Sequence, residues 1–239
     1  MNFRIAGTLA LLGWAAAVHA DPLAGALVTC LIEPSATVAA ASPVAGVVGR
    51  VFRERGDPVR KGERLFELES SVEEATLQTV SARHRFIQGK WQRNQALIRE
   101  NVLSEHERDE LRHEFETAES TLAEAKAALA RRTVHATIDG VVIERLISPG
   151  EYVRENPVMR IATVDPLRAD LTVRAESHGR VRPGRSIRVG VGAGYPTLAG
   201  RVVMVDPHID AASGTFTVRA EIANPGGRVP AGLLCRLVP

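Results

Sequence analysis

A short β-like segment occurs twice in this chain, and this repeat constrains the fold more than any other feature. Residues 46–68 align without a gap onto residues 140–162, and both copies begin with Gly-Val-Val and keep a glycine at the same later position. Asn156 stands where the first copy has Gly62. Asparagine is the residue that best tolerates a left-handed backbone after glycine. The alignment therefore predicts two matching half-motifs, with a positive-φ turn shared by Gly62 and Asn156.

The stretch between the two copies has the pattern of two long antiparallel helices. Apolar or small residues recur in alternating steps of three and four, the period of a helix that packs on a partner helix. Only residues 100–103 separate the two arms, so the arms must fold back on each other. Ser104 and Glu107 form a capping-box pattern where the second arm begins. The predicted seam consists of Leu77, Val80, His84, Ile87, Trp91, Asn94 and Ile98, and of Leu111, Phe115, Ala118, Leu122, Ala125 and Leu129.

From residue 163 onward, strand-like runs alternate with glycine and proline turns. Short strands at such spacing predict a small antiparallel β-barrel. An apolar run at residues 23–32 is predicted to add a strand to this barrel, which would bring Cys30 near Cys235. For the two cysteines, a disulfide and two separate buried thiols are both open, and we favour the separate thiols. The predicted barrel strands are residues 167–174, 186–191, 200–205, 216–222 and 233–238.

The first 20 residues have the pattern of a secretory signal peptide. Arg4 supplies a positive charge, residues 5–18 form an apolar stretch, and Val18, His19 and Ala20 form a small-x-small cleavage site. The apolar stretch is shorter than the roughly 20 residues that span a bilayer. We therefore predict a cleavable signal and an exported protein of the periplasm.

No residue cluster predicts catalysis, a cofactor or a metal ion. A formal net charge of +2 and an aromatic content of 4% do not indicate a nucleic-acid partner. The three lysines stand in no motif for covalent cofactor attachment. Residues 206–210 have a weak metal-like pattern, but aspartate next to the glycine turn that follows is typical of turn formation. We predict a protein that is not an enzyme, has no cofactor or metal site and binds no nucleic acid.

In their order along the chain, three stretches resemble a known protein family. They are SPVAGVVGRVFRERGDPVRKGERLFELES, ATIDGVVIERLISPGEYV and GRVVMVDPHIDAASGTFTVRAEIANPGGRVPAG. They are similar to the periplasmic adaptor subunits, or membrane fusion proteins, of tripartite efflux pumps in the hemolysin-D-like superfamily. The third stretch resembles the barrel of the resistance-nodulation-division (RND) branch.

The resemblance implies a mixed α+β, multidomain and elongated fold. Its parts are a lipoyl-like barrel-sandwich hybrid, an antiparallel α-hairpin inserted into it, and a small antiparallel β-barrel. The predicted boundaries are residues 1–20 for the signal peptide, 21–34 for a strand joining the barrel, 35–69 and 134–162 for the hybrid, 70–133 for the hairpin, and 163–239 for the barrel.

Members of the RND branch carry a tip motif of Arg, three residues, Leu, six residues and Ser. Arg93, Leu97 and Ser104 match this spacing, so the resemblance implies that these three residues bind an outer-membrane channel. Leu97 falls one position off the predicted seam, where an exposed apolar side chain either contacts a partner or covers the hairpin end. Ser104 is also predicted to cap the second helix, and the two roles are compatible.

The implied function is that of a non-catalytic adaptor. It would link an inner-membrane efflux transporter to the outer-membrane channel for the export of small molecules, and it would associate with itself into a trimer or hexamer ring. The alternative is an adaptor of the same architecture that serves an ATP-driven (ABC-type) exporter.

Overall fold

The computed structural model describes Leu23 and residues 25–238. The predicted signal peptide lies outside the described residues. In chain order, the elements are β1 (Leu27–Ala41), β2 (Gly46–Val51), β3 (Pro58–Val59), β4 (Arg64–Leu68), α1 (Ser71–Arg99), α2 (Glu105–Ala130), β5 (Thr133–His135), β6 (Gly140–Arg145), β7 (Tyr152–Val153), β8 (Pro157–Arg174), a 3-10 helix (Ala175–Arg180), β9 (Ser186–Gly190), β10 (Leu198–Val205), β11 (Thr215–Ile222) and β12 (Arg236–Leu237).

The chain divides into two compact units. The repeat unit contains residues 34–167 and 224–231. The barrel unit contains the described residues up to Glu33, together with residues 168–223 and 232–238. Strands β1 and β8 contribute residues to both units. In the part of the chain that the structure describes, no helix is long and apolar enough to cross a membrane.

The two half-motifs fold into equivalent strands of the repeat unit. β2, β3 and β4 of the first copy correspond to β6, β7 and the start of β8 in the second copy, at the offset of the gap-free alignment. β3 pairs with β6 through Val59 and Gly140, and β7 pairs with β2 through Val153 and Gly46. Each copy thus supplies a pairing partner for a strand of the other. Neither copy completes the strand pairing alone, which is why both are needed for one domain.

The core of the repeat unit takes side chains from both copies. Leu65 of the first copy and Met159 of the second occupy aligned positions, and both are fully buried. Phe66 is also fully buried and belongs to the same core. Alternate residues of a strand face one side of the sheet, so the aligned burial shows that the two copies have the same inward register.

One predicted turn of the repeat is wrong. Gly56, Gly62 and Gly150 have positive φ angles of 97°, 88° and 88°. Asn156, by contrast, does not have a positive φ. Among residues 25–238, Asn101 is the non-glycine residue that does. The residue after Asn156 is proline, whose ring excludes helical backbone angles for the preceding residue and favours extended ones. Asn156 therefore leads directly into β8 and does not repeat the turn of Gly62.

The helical hairpin has the predicted seam. Each of the predicted seam positions is buried or half-buried, whereas most neighbouring positions of α1 and α2 are exposed. The rings of Trp91 and Phe115 stack at a centroid distance of 5.8 Å, and His84 lies 6.0 Å from Phe115. Glu114 of α2 accepts from the ammonium group of Lys90 at 2.7 Å and pairs with Arg83 at 3.3 Å. The arms are held together by this aromatic contact and the flanking ion pairs.

The barrel unit is a closed circle of antiparallel strands. β12, β9, β10, β11 and β8 are neighbours in that order, and β1 pairs with β8. The backbone N–H of Ile32 donates to Leu233 at 2.8 Å, and that of Cys235 donates to Cys30 at 2.8 Å. These bonds join β1 to the segment before β12 and close the circle. The predicted N-terminal strand thus completes the barrel, although β1 continues to Ala41.

The two cysteines form a disulfide, so the prediction of separate buried thiols is wrong. Cys30 and Cys235 have Cα atoms 4.8 Å apart and are separated by 205 residues. The register of β1 against the C-terminal segment places them side by side, as the hydrogen bond between their backbones shows. The predicted N-terminal barrel strand accounts for their proximity, but strand patterns do not show whether two neighbouring thiols are bonded.

Candidate partner-binding site at the hairpin tip

The base of the hairpin is bonded to the sheet from which it projects. Arg132, just after α2, forms an ion pair with Glu73 in the first turn of α1 and donates to the carbonyl oxygen of Ala45 at 3.2 Å. Its own carbonyl oxygen accepts from the N–H of Leu68 at 2.8 Å. The Arg132 guanidinium lowers the pKa of the Glu73 carboxyl. The two helices are therefore fixed where they enter and leave the sheet.

The far end of α1 closes in a Schellman motif. Asn101 has a φ of 55°, and its N–H donates to Ile98 at 3.2 Å, while the N–H of Val102 donates to Leu97 at 2.9 Å. This pair of bonds satisfies carbonyl groups that the end of a helix leaves open. The motif usually brings the side chains corresponding to Leu97 and Val102 together. Both are exposed here, by 38% and 63%.

Ser104 begins α2 as the predicted capping box. Its hydroxyl accepts from the N–H of Glu107 at 3.3 Å and donates to the Glu107 carboxylate at 2.6 Å. The same carboxylate accepts from the N–H of Ser104 at 2.9 Å. These bonds from the Ser104 hydroxyl and then its N–H lower the pKa of Glu107 below its usual value. The Ser104 hydroxyl is thus engaged within its own helix.

The three residues of the predicted site fall into two places. Arg93 and Leu97 are both exposed and lie four residues apart on α1, so their side chains share one face of the helix. Ser104 lies on the other arm, where it caps α2. The structure therefore brings Arg93 and Leu97 together as a surface, while Ser104 fixes the start of the neighbouring helix.

Val102 is a candidate site residue that the sequence reasoning missed. It is the more exposed of the two apolar side chains at the tip turn. The signal was present in the sequence, because asparagine directly after a helical pattern favours the left-handed position of a C-terminal cap. Recognising that cap at Asn101 would have placed Val102 beside Leu97.

The tip carries charges of both signs. Arg93 and the last-turn Arg99 lie on α1, whereas Glu105 and Glu107 lie in the first turn of α2. The last-turn Arg99 and the first-turn Glu105 and Glu107 suit the helix dipole, which favours cations at a C-terminus and anions at an N-terminus. The tip thus exposes Leu97 and Val102 together with charges of both signs. Such a surface can bind a partner with complementary charges.

The weak metal-like pattern at residues 206–210 forms turns. Asp206 accepts from the N–H of His208 at 2.9 Å, and Asp210 accepts from the N–H groups of Ala212 and Ser213 at 2.8 and 3.1 Å. Among the described residues, no group of three or more His, Cys, Asp or Glu side chains is placed to hold a metal ion. The turn interpretation of these aspartates is confirmed.

Family comparisons match most of the described chain. The model of the CzcB-like barrel-sandwich hybrid domain matches residues 36–163. The model of the CusB-like β-barrel domain matches residues 169–238. The first match includes both half-motifs and the inserted hairpin, and the second includes β9 to β12.

Several curated relatives are about a quarter identical to this chain over the aligned residues. An uncharacterized protein of Haemophilus influenzae is 27% identical over 212 residues, which are 87% of this chain and 56% of the relative. The membrane fusion protein MtrC of Neisseria gonorrhoeae is 25% identical over 238 residues, or 87% and 58%. The multidrug resistance protein MexA of Pseudomonas aeruginosa is 23% identical over 205 residues, or 78% and 53%. The chain thus spans little more than half the length of these relatives.

A solved structure has the same fold. It is a MacA–MexA chimera with the α-hairpin domain of Pseudomonas aeruginosa MexA, and it superimposes with a TM-score of 0.74 at 20% identity over 87% of this chain and 75% of the chimera. Together with the two domain matches, it confirms the predicted fold class of a barrel-sandwich hybrid with an inserted α-hairpin and a small β-barrel.

Proposed function

The chain belongs to the CzcB-like family of membrane fusion proteins, and from this premise we propose that it is a non-catalytic periplasmic adaptor of an RND-type efflux pump. In this role it links an inner-membrane transporter to an outer-membrane channel, so that small molecules are exported across both membranes. Similar proteins are named as a membrane fusion protein and as periplasmic linkers of solvent and toluene efflux pumps. These names support the RND interpretation over an ABC-type exporter.

The observation that carries the proposal is the exposed face at the hairpin tip. Arg93 and Leu97 share one side of α1, and the exposed Val102 follows in a turn in which its N–H donates to the carbonyl oxygen of Leu97. A preformed surface loses little conformational entropy on binding, which favours docking. We infer that these side chains contact the helices of an outer-membrane channel. Ser104 supports them by capping α2, and its hydroxyl contributes indirectly.

Self-association would strengthen this docking. One tip offers only a few contacts, but several tips held in a ring bind together with an increased effective concentration. Val47 and Tyr152 are exposed apolar residues that lie directly opposite each other on β2 and β7. Adjacent exposed side chains of this kind can add apolar and aromatic contact to an interface. We propose that they contribute to the contact between neighbouring copies in a trimer or hexamer.

Site-specific photocrosslinking in cells tests the tip assignment. A photoreactive residue at Leu97 or Val102 is expected to capture an outer-membrane channel, whereas the same residue at the exposed Gln78, far down α1, is not. Arg93→Asp is expected to abolish capture. Arg85→Asp makes the same charge change two turns away on α1 and is expected to leave capture intact.

Two outcomes would overturn the tip assignment. The first is that Leu97 and Val102 capture only further copies of the chain, or nothing. The second is that Arg85→Asp reduces capture as much as Arg93→Asp, because the effect would then reflect overall charge and not a specific contact.

A further inference from the structure

The low net charge of the chain conceals a strongly basic segment in the barrel unit. Residues 180–205 contain five arginines and no lysine, aspartate or glutamate. They include the end of the 3-10 helix, the whole of β9 and the whole of β10. β12, which pairs with β9, adds Arg236. Each of the three neighbouring strands β9, β10 and β12 therefore carries an arginine.

The strand register places three of these arginines on one outer face. Arg236 lies across Gly190 of β9, because a Cβ added at Gly190 would be 3.5 Å from the Arg236 Nε. Gly190, Arg188 and Ser186 alternate along β9 and so point the same way. Arg201 of β10 lies directly opposite Ser186. Arg188, Arg201 and Arg236 thus form a single surface, which we call the basic face.

The residues that alternate with these arginines are buried. Ile187 and Val189 of β9 and Leu237 of β12 point into the barrel, whereas Arg188 and Arg236 are exposed. The barrel core therefore fixes the direction of the arginines: turning them inward would require a one-residue shift of register that exposes the core. The basic face is a stable property of the fold.

Arg188 and Arg236 of the basic face have no acidic residue opposite them in the strand register, and Arg201 faces Glu221. Within residues 25–238, no ion pair involves Arg188, Arg201 or Arg236, and the nearest acid in register is the exposed Glu221, opposite Arg201. Elsewhere in the same barrel, the pattern is different. Arg219 forms a bidentate ion pair with Asp170, with hydrogen bonds of 2.9 and 3.2 Å to the two carboxylate oxygens. The basic face is thus available to anions from outside the molecule.

Exposed apolar side chains accompany the basic face. Leu234 lies two residues before Arg236 and is 71% exposed, and Val203 lies two residues after Arg201 and is 47% exposed. Tyr195, in the turn between β9 and β10, is also exposed. Arginine, aliphatic and tyrosine side chains together suit the boundary of a bilayer, where guanidinium groups bind phosphates and apolar groups enter the acyl region.

We propose that the basic face binds the anionic phospholipid headgroups of a membrane surface. Each basic residue near an anionic bilayer contributes about 1 kcal/mol, or roughly fivefold in affinity. The exposed aliphatic side chains of Leu234 and Val203 accompany the arginines and favour a lipid surface as the partner. A lipid surface offers these side chains an acyl layer to enter, which an acidic protein surface does not. This site goes beyond the proposed adaptor function and does not depend on docking at the hairpin tip.

Vesicle flotation with the purified full chain tests the proposal. The chain is expected to float with vesicles of phosphatidylcholine that contain about 30% of the anionic lipid phosphatidylglycerol. It is expected to bind much less to vesicles of phosphatidylcholine alone. The triple variant Arg188→Gln, Arg201→Gln, Arg236→Gln should bind the anionic vesicles on the order of 100-fold more weakly. Raising the salt concentration should also weaken the binding of the wild-type chain to the anionic vesicles, because screening shortens the range of the attraction.

A second triple variant controls for net charge. Arg55→Gln, Arg85→Gln and Arg112→Gln remove the same charge from exposed positions of the repeat unit and should leave binding within twofold of wild type. Both variants keep the same N-terminal segment, so the comparison isolates the basic face. Unchanged thermal unfolding midpoints verify that both are folded. Equal binding to neutral and anionic vesicles, or equal loss in the two variants, would refute the proposal. The absence of vesicle binding by the wild-type chain would also refute it and would favour an acidic protein surface as the partner.

Discussion

The β-barrel and the helical hairpin differ in how much of each element is buried. Four of the eight residues of β11 are buried, namely Phe216, Val218, Ala220 and Ile222. In the hairpin, by contrast, Ile87 is the buried residue of the 29-residue α1, and Ala125 is the buried residue of the 26-residue α2. The barrel therefore draws its stability mainly from a core, and the hairpin from helix caps, a narrow seam and the bonds at its base.

This difference separates stability from binding along the chain. A barrel strand has one face in the core, so a substitution there changes folding before it changes any contact with a partner. Most hairpin side chains face solvent, and substitutions at exposed positions usually change stability by less than about 0.5 kcal/mol. The hairpin tip can thus carry residues selected for a partner at little cost in folding. The following predictions test how far this separation holds.

The largest effect is expected for Phe216→Ala in the barrel core. Phe216 is buried and meets the ring of His178 edge-on at 4.8 Å. Removing its ring leaves a cavity and should lower the free energy of unfolding by about 3–5 kcal/mol. Urea unfolding monitored by hydrogen exchange should show that the backbone amides of β8 to β11 lose protection. An equal loss of protection throughout α1 and α2 would mean that the two regions unfold together.

The disulfide is expected to have the next largest effect. Replacing Cys30 and Cys235 together by serine should lower the free energy of unfolding of the barrel by about 2–4 kcal/mol, the range typical of a disulfide, because the bond restricts the unfolded chain. Dithiothreitol should destabilise the wild-type protein by a similar amount and leave the double variant unchanged. If the reductant acts equally on both, the bond contributes nothing to stability.

Ile87→Ala in the hairpin seam is expected to cost less than the barrel substitution. The side chain is buried between the helices, but the seam has solvent on both flanks and relaxes more easily than a barrel core. We expect a loss of about 2 kcal/mol, the low end for removing a buried isoleucine side chain. Trp91 stacks on Phe115 in the same seam, so its fluorescence reports the hairpin. A cost as large as that of Phe216→Ala would remove the distinction between the two regions.

The features that could be predicted from the sequence are those with a local or repeated pattern. The seam from Leu77 to Ile98 follows from a helical period, and the capping box from the spacing of Ser104 and Glu107. The equivalence of β2 to β4 with β6 to β8 follows from an alignment within the chain. None of these depends on knowing which distant residues meet, because side-chain periodicity reflects a single helix or strand.

Three features were missed although part of the signal was in the sequence. The predicted barrel strand brings Cys30 near Cys235, but proximity alone does not show whether two thiols are bonded. Asparagine after a helical pattern favours a positive φ, and Asn101 adopts one at the end of α1, next to Val102. At Asn156 the local effect of the following proline was also present and outweighs the repeat. For the tip, the resemblance predicts Arg93, Leu97 and Ser104 as partner-binding residues, and the structure adds that Ser104 bonds within its own helix.

The smallest effect is expected at the cap that orders the tip. Ser104→Ala removes the hydroxyl that bonds to Glu107 and should destabilise the hairpin by about 1 kcal/mol. It should also move the pKa of Glu107 back toward its usual value of 4.5, because that bond is the main cause of the lowered pKa.

A carboxyl with a lowered pKa in the folded state adds stability that is fully present above its unfolded pKa and is lost as the pH falls through its folded pKa. Acid should therefore weaken the wild-type hairpin slightly more than Glu107→Gln, whereas Glu105→Gln, a first-turn control outside the capping box, should keep the wild-type pH dependence. A carboxyl titration by NMR measures the shift directly, and an unchanged Glu107 midpoint in Ser104→Ala would show that the cap does not control this charge.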